Sequence, residues 1–250
     1  VTGPGFDEGR LADLRAAIAG EPITDELSVG TARDLHRLCR SVVTVLPASG
    51  AAVSLMSEGR QLGIVAVDAA ASAEIEELQF LLGEGPCWDA FDSRFHVLAP
   101  DLLAPGFTRW PGYSAGAVER GVLGAFAFPL QIGAALLGVL DIYRARTGPL
   151  SGEELANSLA FAEIATRTLL DGQEAAGEGA TPRGVEDVLE PGVVVFQAQG
   201  MAMIQLGVSL IEAIARLRAY TYAMDRTLGD VARDIVGRRL VLEPDEGGGR

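Results

Sequence analysis

Lysine is absent from all 250 residues, and every one of the 20 basic side chains is arginine. That absence excludes Schiff-base chemistry, a Walker A phosphate loop and a kinase-type strand lysine, each of which needs a primary amine. Cysteine is used twice, at Cys39 and Cys87, and histidine twice, at His36 and His96. Both are too few for a disulfide framework or a zinc cluster, so no metal and no cofactor is expected. The opening Val1-Thr-Gly-Pro4, followed by Asp7, Glu8, Asp13 and Arg15, lacks the order of a signal peptide, and a cytoplasmic location is the expectation. Acidic residues number 34, for a net charge of -14. A field of that sign repels phosphate, so nucleic acid can be met only at a local basic patch. Residues 121–140 carry no charge at all, the length of a spanning helix of about 20 residues. Pro129, Gln131 and the glycines at 121, 124, 133 and 138 divide that run into two β-like pieces, so a buried hairpin is predicted and no membrane partner.

Charge is distributed unevenly. Residues 1–196 hold 13 Arg and 27 acidic residues, whereas residues 197–242 hold 6 Arg and 4 acidic residues. Only the second segment is positive, at +2, and it also has the clearest helical pattern. Ahead of it, residues 171–184 are Gly-rich, charged and free of bulky apolar side chains, the composition of a flexible linker. The predicted order is an N-terminal helical segment (1–27), a mixed α+β domain (28–172), a linker (173–191), a small all-α domain (192–242) and an acidic tail (243–250).

Within the first domain, Leu35, Leu38, Val42, Val45 and Leu46 form a helical stripe. Residues 51–56 and 62–67 are β-propensity runs around a Gly-containing turn, a hairpin. Residues 75–82 suit a helix or a strand, 95–98 a short strand, and 126–130 with 136–143 a last hairpin. Ser151 and Glu154 form a capping box for a helix through Leu170. The run Glu77-Leu-Gln-Phe-Leu-Leu-Gly-Glu-Gly-Pro-Cys-Trp-Asp-Ala90, with 128–133 and Leu137-Gly-Val-Leu-Asp-Ile-Tyr143, resembles the GAF domains of actinobacterial regulators. The resemblance spans about residues 28–172. It implies a sensor with a central antiparallel sheet flanked by helices, a dimer face and a pocket for a small ligand.

The last fifty residues predict three helices. Val193–Leu206 follows Pro191-Gly192, a pair expected to break any helix arriving from upstream. Ser209 and Glu212 cap the second helix, and Leu210, Ala213, Ile214, Leu217, Thr221 and Met224 form its apolar stripe. Thr227 caps the third, with Leu228, Val231, Ala232 and Ile235 on its buried side. So small a unit predicts packing against a second copy, hence a homodimer. The ordered signatures Gln197-Ala-Gln-Gly-Met201, Leu206-Gly-Val-Ser209, Glu212-Ala213, Leu217-Arg218 and Leu228-Gly-Asp-Val-Ala232 resemble the ANTAR domain. That family implies a three-helix RNA-binding unit of transcription antiterminators, acting on hairpins in nascent transcripts. Gln199 replaces the usual Lys, and Thr221 the usual Ala, where its hydroxyl can bond back to a carbonyl. The flanks of the second helix pair Arg216 with Tyr220 and Arg218 with Tyr222, a phosphate-binding fork beside a ring that stacks on an unpaired base. Arg226 and Thr227 lie at the start of the third helix, whose free N–H groups favour phosphate, and Arg233 lies on its polar face. The competing reading pairs these arginines with Glu212, Asp225, Asp230 and Asp234.

In the sensor domain Cys87 follows Pro86, a first helical residue, where the helix dipole favours a thiolate and a redox switch. A small buried structural residue is the alternative. Trp88, Trp110 and Phe126, with Phe91, Tyr113 and Phe128, are candidate pocket linings or plain core. Cys39 reads as structural, and His36 and His96 as ordinary positions. Glu74, Glu76 and Glu77 read as a solvated helix face, as do Asp89 and Asp92. No nucleophile, base and orienting group form a catalytic pattern. The expectation is a GAF sensor of a small ligand or redox state with an RNA-binding ANTAR output. The alternatives are a Cys87-dependent sulfoxide reductase of the GAF type, and a dimerisation module that does not bind RNA.

Overall fold

A computed structural model of the chain describes residues 8–23, 29–57, 60–177, 181–224 and 226–243. The chain divides into two compact units, residues 1–188 and 189–250.

The first unit runs α1 (Glu8–Gly20), α2 (Gly30–Val45), β1 (Gly50–Ser57), β2 (Arg60–Val67), α3 (Ala70–Leu82), α4 (Pro86–Ser93), β3 (Val97–Ala99), α5 (Pro111–Glu119), β4 (Gly124–Ile132), β5 (Ala135–Arg144) and α6 (Gly152–Ala176). The strands form one sheet of order β2-β1-β5-β4-β3, and every neighbouring pair is antiparallel. Both predicted hairpins are present, and the uncharged run becomes β4 and the start of β5, turning at Gly133 with φ of 56°. A lack of charge over twenty residues therefore marks two central strands buried on both faces, not a membrane span. Among the described residues no single helix is long and apolar enough to cross a membrane.

Successive strand residues point to opposite faces. On one face Phe126, Phe128, Leu130, Leu140 and Ile142 meet α2 and α6, where Leu35, Leu38, Val42 and Phe161 are fully buried. Each such side chain contributes about 1.5–3 kcal/mol of apolar burial. Arg144 closes this core. Its guanidinium is buried over the Phe126 ring at 5.3 Å and pairs with Glu154 at 3.0 Å. Glu154 also completes the predicted capping box, since Ser151 N–H donates to its carboxylate (2.6 Å) and Glu154 N–H donates to Ser151 Oγ (3.1 Å). On the opposite face Val139, Asp141 and Tyr143 of β5 meet α3, α4 and α5.

The described part of the expected linker is ordered chain. α6 continues to Ala176, Val185 is buried, and Arg183 C=O accepts from Thr31 N–H at the start of α2 (3.1 Å). Gly184, at φ of 81°, has no room for a Cβ, because that atom would stand 2.2 Å from Val29 O.

In the second unit α7 (Glu186–Leu206), α8 (Leu210–Ala223) and α9 (Leu228–Val236) follow. α7 starts upstream of Pro191 rather than after Gly192, a correction to the expected helix break. Proline at the sixth position removes the single N–H bond to the carbonyl of residue 187, a local cost that α7 carries without ending there. Residues 192–206 and α8 meet at 102°, with Gly207 at φ of 65° in the break. Gln199 fixes the corner by donating Nε2–H to Leu210 O (2.8 Å). Ser209 and Thr227 cap α8 and α9 as predicted. The buried residues of α9 are Leu228, Val231, Ala232 and Ile235, the predicted stripe, and Thr221 is buried and donates to Arg218 O at 2.8 Å. In α8, by contrast, Leu210 and Met224 are exposed, leaving Ala213, Leu217 and Thr221 as the buried residues.

Candidate functional site: a buried acidic chamber

The buried residues of α3 are Ser72, Ile75, Glu76 and Gln79, spaced three and four apart. This is a core-facing helical stripe, yet three of its four members are polar. Glu76 is fully buried, which corrects its reading as part of a solvated face. A hydropathy pattern registers only apolar stripes, so a polar stripe facing a core is invisible to it.

Gln79 organises the loop that follows. Its side-chain oxygen accepts Cys87 N–H (2.9 Å), and its backbone oxygen accepts Trp88 Nε1–H (2.9 Å) and Gly83 N–H (2.8 Å). Gly85 adopts φ of 139° and ψ of 173° directly beneath that carboxamide, and a Cβ there would stand 2.4 Å from Gln79 Oε1. Only glycine fits both demands. Glu84, between the two glycines, accepts from the N–H groups of Gly112 (2.7 Å) and Tyr113 (2.9 Å). It thereby caps α5 from 28 residues upstream. Trp110 enters α5 in the left-handed region at φ of 50°, with the Arg109 guanidinium 4.5 Å above its ring and Tyr113 edge-on at 6.1 Å.

Between α3, α4, α5 and β5 these elements enclose Glu76, Cys87, Tyr113, Asp141 and Tyr143, all buried. Ser54 Oγ donates to Glu76 Oε2 (2.8 Å), Tyr143 OH donates to Glu76 Oε1, and Gln79 Nε2 donates to Tyr143 OH (3.2 Å). Asp141 is different. Both of its carboxylate oxygens are sealed from water and meet no donor in full hydrogen-bond geometry among the described residues, their polar neighbours being the Cys87 thiol, the Gln79 carboxamide and the Glu76 carboxyl, and the Tyr113 hydroxyl is likewise without a partner in that geometry. Its cross-strand neighbours are both alanines, Ala52 on β1 and Ala127 on β4, so neither adjoining strand offers it a donor. Carboxyl and thiol donor atoms from Glu76, Cys87 and Asp141 lie within 4.8 Å of one another.

Burial drives the electrostatics, because removing water from a carboxylate costs several kcal/mol. It raises the pKa of Glu76. Burial and then the Glu76 charge hold the Asp141 carboxyl well above its usual range. Burial, Asp141 and Glu76 together push the Cys87 thiol up, and the same three causes raise the Tyr113 phenol. Cys87 is indeed the second residue of a helix opened by Pro86, but no thiolate results. The dipole of a helix end contributes at most about 2 kcal/mol, less than desolvation plus two adjacent acids.

The sequence-derived candidates divide accordingly. Cys87, Trp88 and Trp110 converge on the chamber side of the sheet. Phe126 does not. It pairs across from Ile142 and faces α6 and Arg144, because its neighbours Ala125 and Ala127 take the chamber side. Cys39 is buried on α2, which packs on that same far side, and no disulfide joins it to Cys87. His36 Nδ1 lies 2.9 Å from Val67 O, tying α2 to β2, and His96 is exposed and stacks on Phe128. Sequence reasoning missed Ser54, Glu76, Gln79, Glu84 and Asp141; the signal that finds the first of these helical residues is a polar i, i+4, i+7 series at Ser72, Glu76 and Gln79.

In the second unit the proposed RNA face is largely engaged internally. Arg216 pairs with Glu212 (3.4 Å), Arg226 with Asp234 (2.6 Å) and Arg233 with Asp230. Thr227 and Asp230 occupy the α9 N-terminus, the site assigned to phosphate. Arg218 is partly buried, with its guanidinium pKa lowered by desolvation. Tyr220 is partly buried and Tyr222 is 74% exposed. The competing ion-pair reading is thus realised for Arg216, Arg226 and Arg233; its remaining acid, Asp225, lies outside the described residues.

A family profile described as "GAF domain" matches residues 33–169. No curated protein matches the sequence. Among solved structures, the GAF domain of a phosphoenolpyruvate-protein phosphotransferase from Coxiella burnetii is 17% identical, with a TM-score of 0.50 over 67% of this chain and 95% of that one. Its counterpart from Acinetobacter is 13% identical, with a TM-score of 0.48 over 69% and 98%. The free methionine-R-sulfoxide reductase of Neisseria meningitidis is 14% identical, with a TM-score of 0.47 over 70% and 98%.

Proposed function

The chain belongs to the GAF domain family, and from that membership we propose a signal-responsive regulator in which the acidic chamber is the input and the C-terminal helices are an output that binds structured RNA. The observation that carries this reading is Asp141, a fully buried carboxyl group whose two oxygens meet no donor in full hydrogen-bond geometry, in the same core as the Tyr113 hydroxyl, which also lacks one. Each unmet buried polar group costs about 1–3 kcal/mol. A ligand that supplies the missing partners recovers that cost, and the recovery is the free energy available for a change of conformation. It shifts an equilibrium only if the ligand binds two conformations with different affinities.

RNA as the output target rests on the resemblance of residues 193–242 to the ANTAR domain and on the exposed ring of Tyr222. Base stacking on Tyr222 is the main contact in this reading, since Arg216, Arg226 and Arg233 must first leave their carboxylates. The working form is a homodimer, a reading supported by the exposed Ile204 and Ile211 of the small second unit. The role is regulatory and not catalytic. The sulfoxide-reductase alternative needs a nucleophilic thiolate and a resolving thiol, whereas Cys87 is held protonated and Cys39 lies across the sheet.

The test is filter binding of hairpin RNA to the full chain. Tyr222→Ala is expected to lose about tenfold in affinity, and Asp141→Asn to change the affinity of the wild type severalfold. Unchanged binding in both Tyr222→Ala and an Arg218/Arg226/Arg233 triple Ala variant overturns RNA as the output. Unchanged binding in Asp141→Asn overturns the chamber as the input.

A further inference from the structure

We propose that the chamber binds one divalent transition-metal cation, of the zinc, iron(II) or cobalt(II) type, through Glu76, Asp141 and Cys87. The proposal rests on the chamber being the input site and names the chemistry of what enters it.

Convergence is the first argument. The three groups come from α3, α4 and β5, yet one donor atom of each lies within 4.8 Å of the others, a space the size of a single ion and not of an organic molecule. Tetrahedral bonds of about 2.1 Å to oxygen and about 2.3 Å to sulfur place donors about 3.6 Å apart, so loading contracts the site by no more than about an ångström. The second argument is charge. Two carboxyl groups are enclosed with no guanidinium, and the chain has no lysine to send there. Arg144 is three residues after Asp141, but strand alternation carries it to the other face, where Glu154 holds it. The chamber thus concentrates acidic groups with no cationic side chain paired to Glu76 or Asp141 among the described residues. The third argument is independent of the cluster. The Tyr113 hydroxyl, buried and without a partner in hydrogen-bond geometry, belongs to the same core as Cys87 and offers a fourth donor, and no neighbour holds either Asp141 oxygen in full hydrogen-bond geometry, although the Cys87 thiol and the Gln79 carboxamide stand close to them.

Donor type then selects the cation. Calcium and magnesium take six to eight oxygens or keep several waters, and a sealed chamber with a sulfur donor provides neither. One thiolate with two carboxylates fits a borderline cation of low coordination number. Binding requires loss of the proton on the thiol and of any on the carboxyls, so the cation competes with protons and its affinity rises with pH. Gln79 holds the Cys87 backbone and Ser54 and Tyr143 hold Glu76, an outer shell that orients two of the three ligands.

The experiment is a titration of chelator-treated full chain with cobalt(II) alone, read by absorption, and with zinc(II), read by thermal unfolding. A thiolate-to-cobalt charge-transfer band saturating at one equivalent is expected for the wild type and for Cys39→Ser, and it should vanish in Cys87→Ser. At least tenfold weaker cobalt binding is expected for Asp141→Asn and Glu76→Gln. Zinc should raise the Tm of the wild type but not of Asp141→Asn. No band in the folded wild type, or a band that survives Cys87→Ser, overturns the metal site whatever the variants' stability. If the band is absent while Asp141→Asn still alters RNA affinity, the metal fails and the chamber remains the input. A band with no effect of Asp141→Asn on RNA supports the metal and overturns the input role alone.

Discussion

At the scale of single residues, glycine and aspartate carry the sharpest consequences. Gly85 meets two independent restrictions, a backbone conformation closed to side chains and the Gln79 carboxamide 2.4 Å from any Cβ. Gly85→Ala is expected to destabilise the first unit by about 2–3 kcal/mol and to release Cys87 N–H from Gln79, measurable by denaturant titration and by faster thiol labelling. Asp141 and Glu76 both have folded-state pKa values above those of the unfolded chain. Between the two values the folded state holds more protons than the unfolded one, so stability falls as pH rises above about 4. In chelator-treated protein, Asp141→Asn, which cannot ionise, should flatten that fall, so that its stability relative to wild type rises between pH 5 and pH 8. Thermal melts at pH 5 and pH 8 check both the sign and the flattening.

At the scale of elements, α6 shows how one side chain serves two purposes. Glu154 accepts Ser151 N–H at the helix start and is the counter-ion of Arg144, which is buried in the core below. The Ser151 N–H and then Arg144 hold its carboxyl below the usual range. Its contribution is therefore fully present above about pH 4.3, the value in an unfolded chain, and is lost as pH falls through the depressed folded value. Glu154→Ala leaves Arg144 buried without its partner, and a loss of about 3 kcal/mol is expected, a Tm lower by roughly 6–12 °C. The variant should also lack the acid-side decline that the wild type shows. The capping box itself was legible from Ser151 and Glu154, three residues apart. The ion pair was not, because nothing in the spacing of residues 144 and 154 indicates which face of β5 Arg144 takes.

At the scale of the whole molecule, a net charge of -14 and internally paired arginines set the character of any RNA complex. With two or three phosphates neutralised, the logarithm of affinity should fall against the logarithm of salt with a slope of about -2. A slope of about -6 or steeper, measured by filter binding between 50 and 200 mM salt, would show that the ion pairs open and that charge rather than stacking dominates. In the proposed reading the two affinities couple reciprocally: whatever factor a chamber ligand imposes on RNA binding, RNA imposes on that ligand.

Both hairpins and the caps at Ser151, Ser209 and Thr227 are readable from the sequence alone, because they depend on side-chain period, turn chemistry and residues three apart; α5, the start of α7 and the choice of helix over strand for residues 75–82 are not. So is the exclusion of amine chemistry, which needs no structure. The chamber is a product of tertiary structure. Glu76, Cys87 and Asp141 become neighbours only when the register Ala52–Asp141–Ala127 and the packing of α3 and α4 are set. The same alternation separates Phe126 from the tryptophans it was grouped with. A local pattern specifies which way a backbone turns. Solvent exclusion, which raises the chamber's acids and holds the Cys87 thiol protonated, is a property of the assembled core, and no window along the chain contains it.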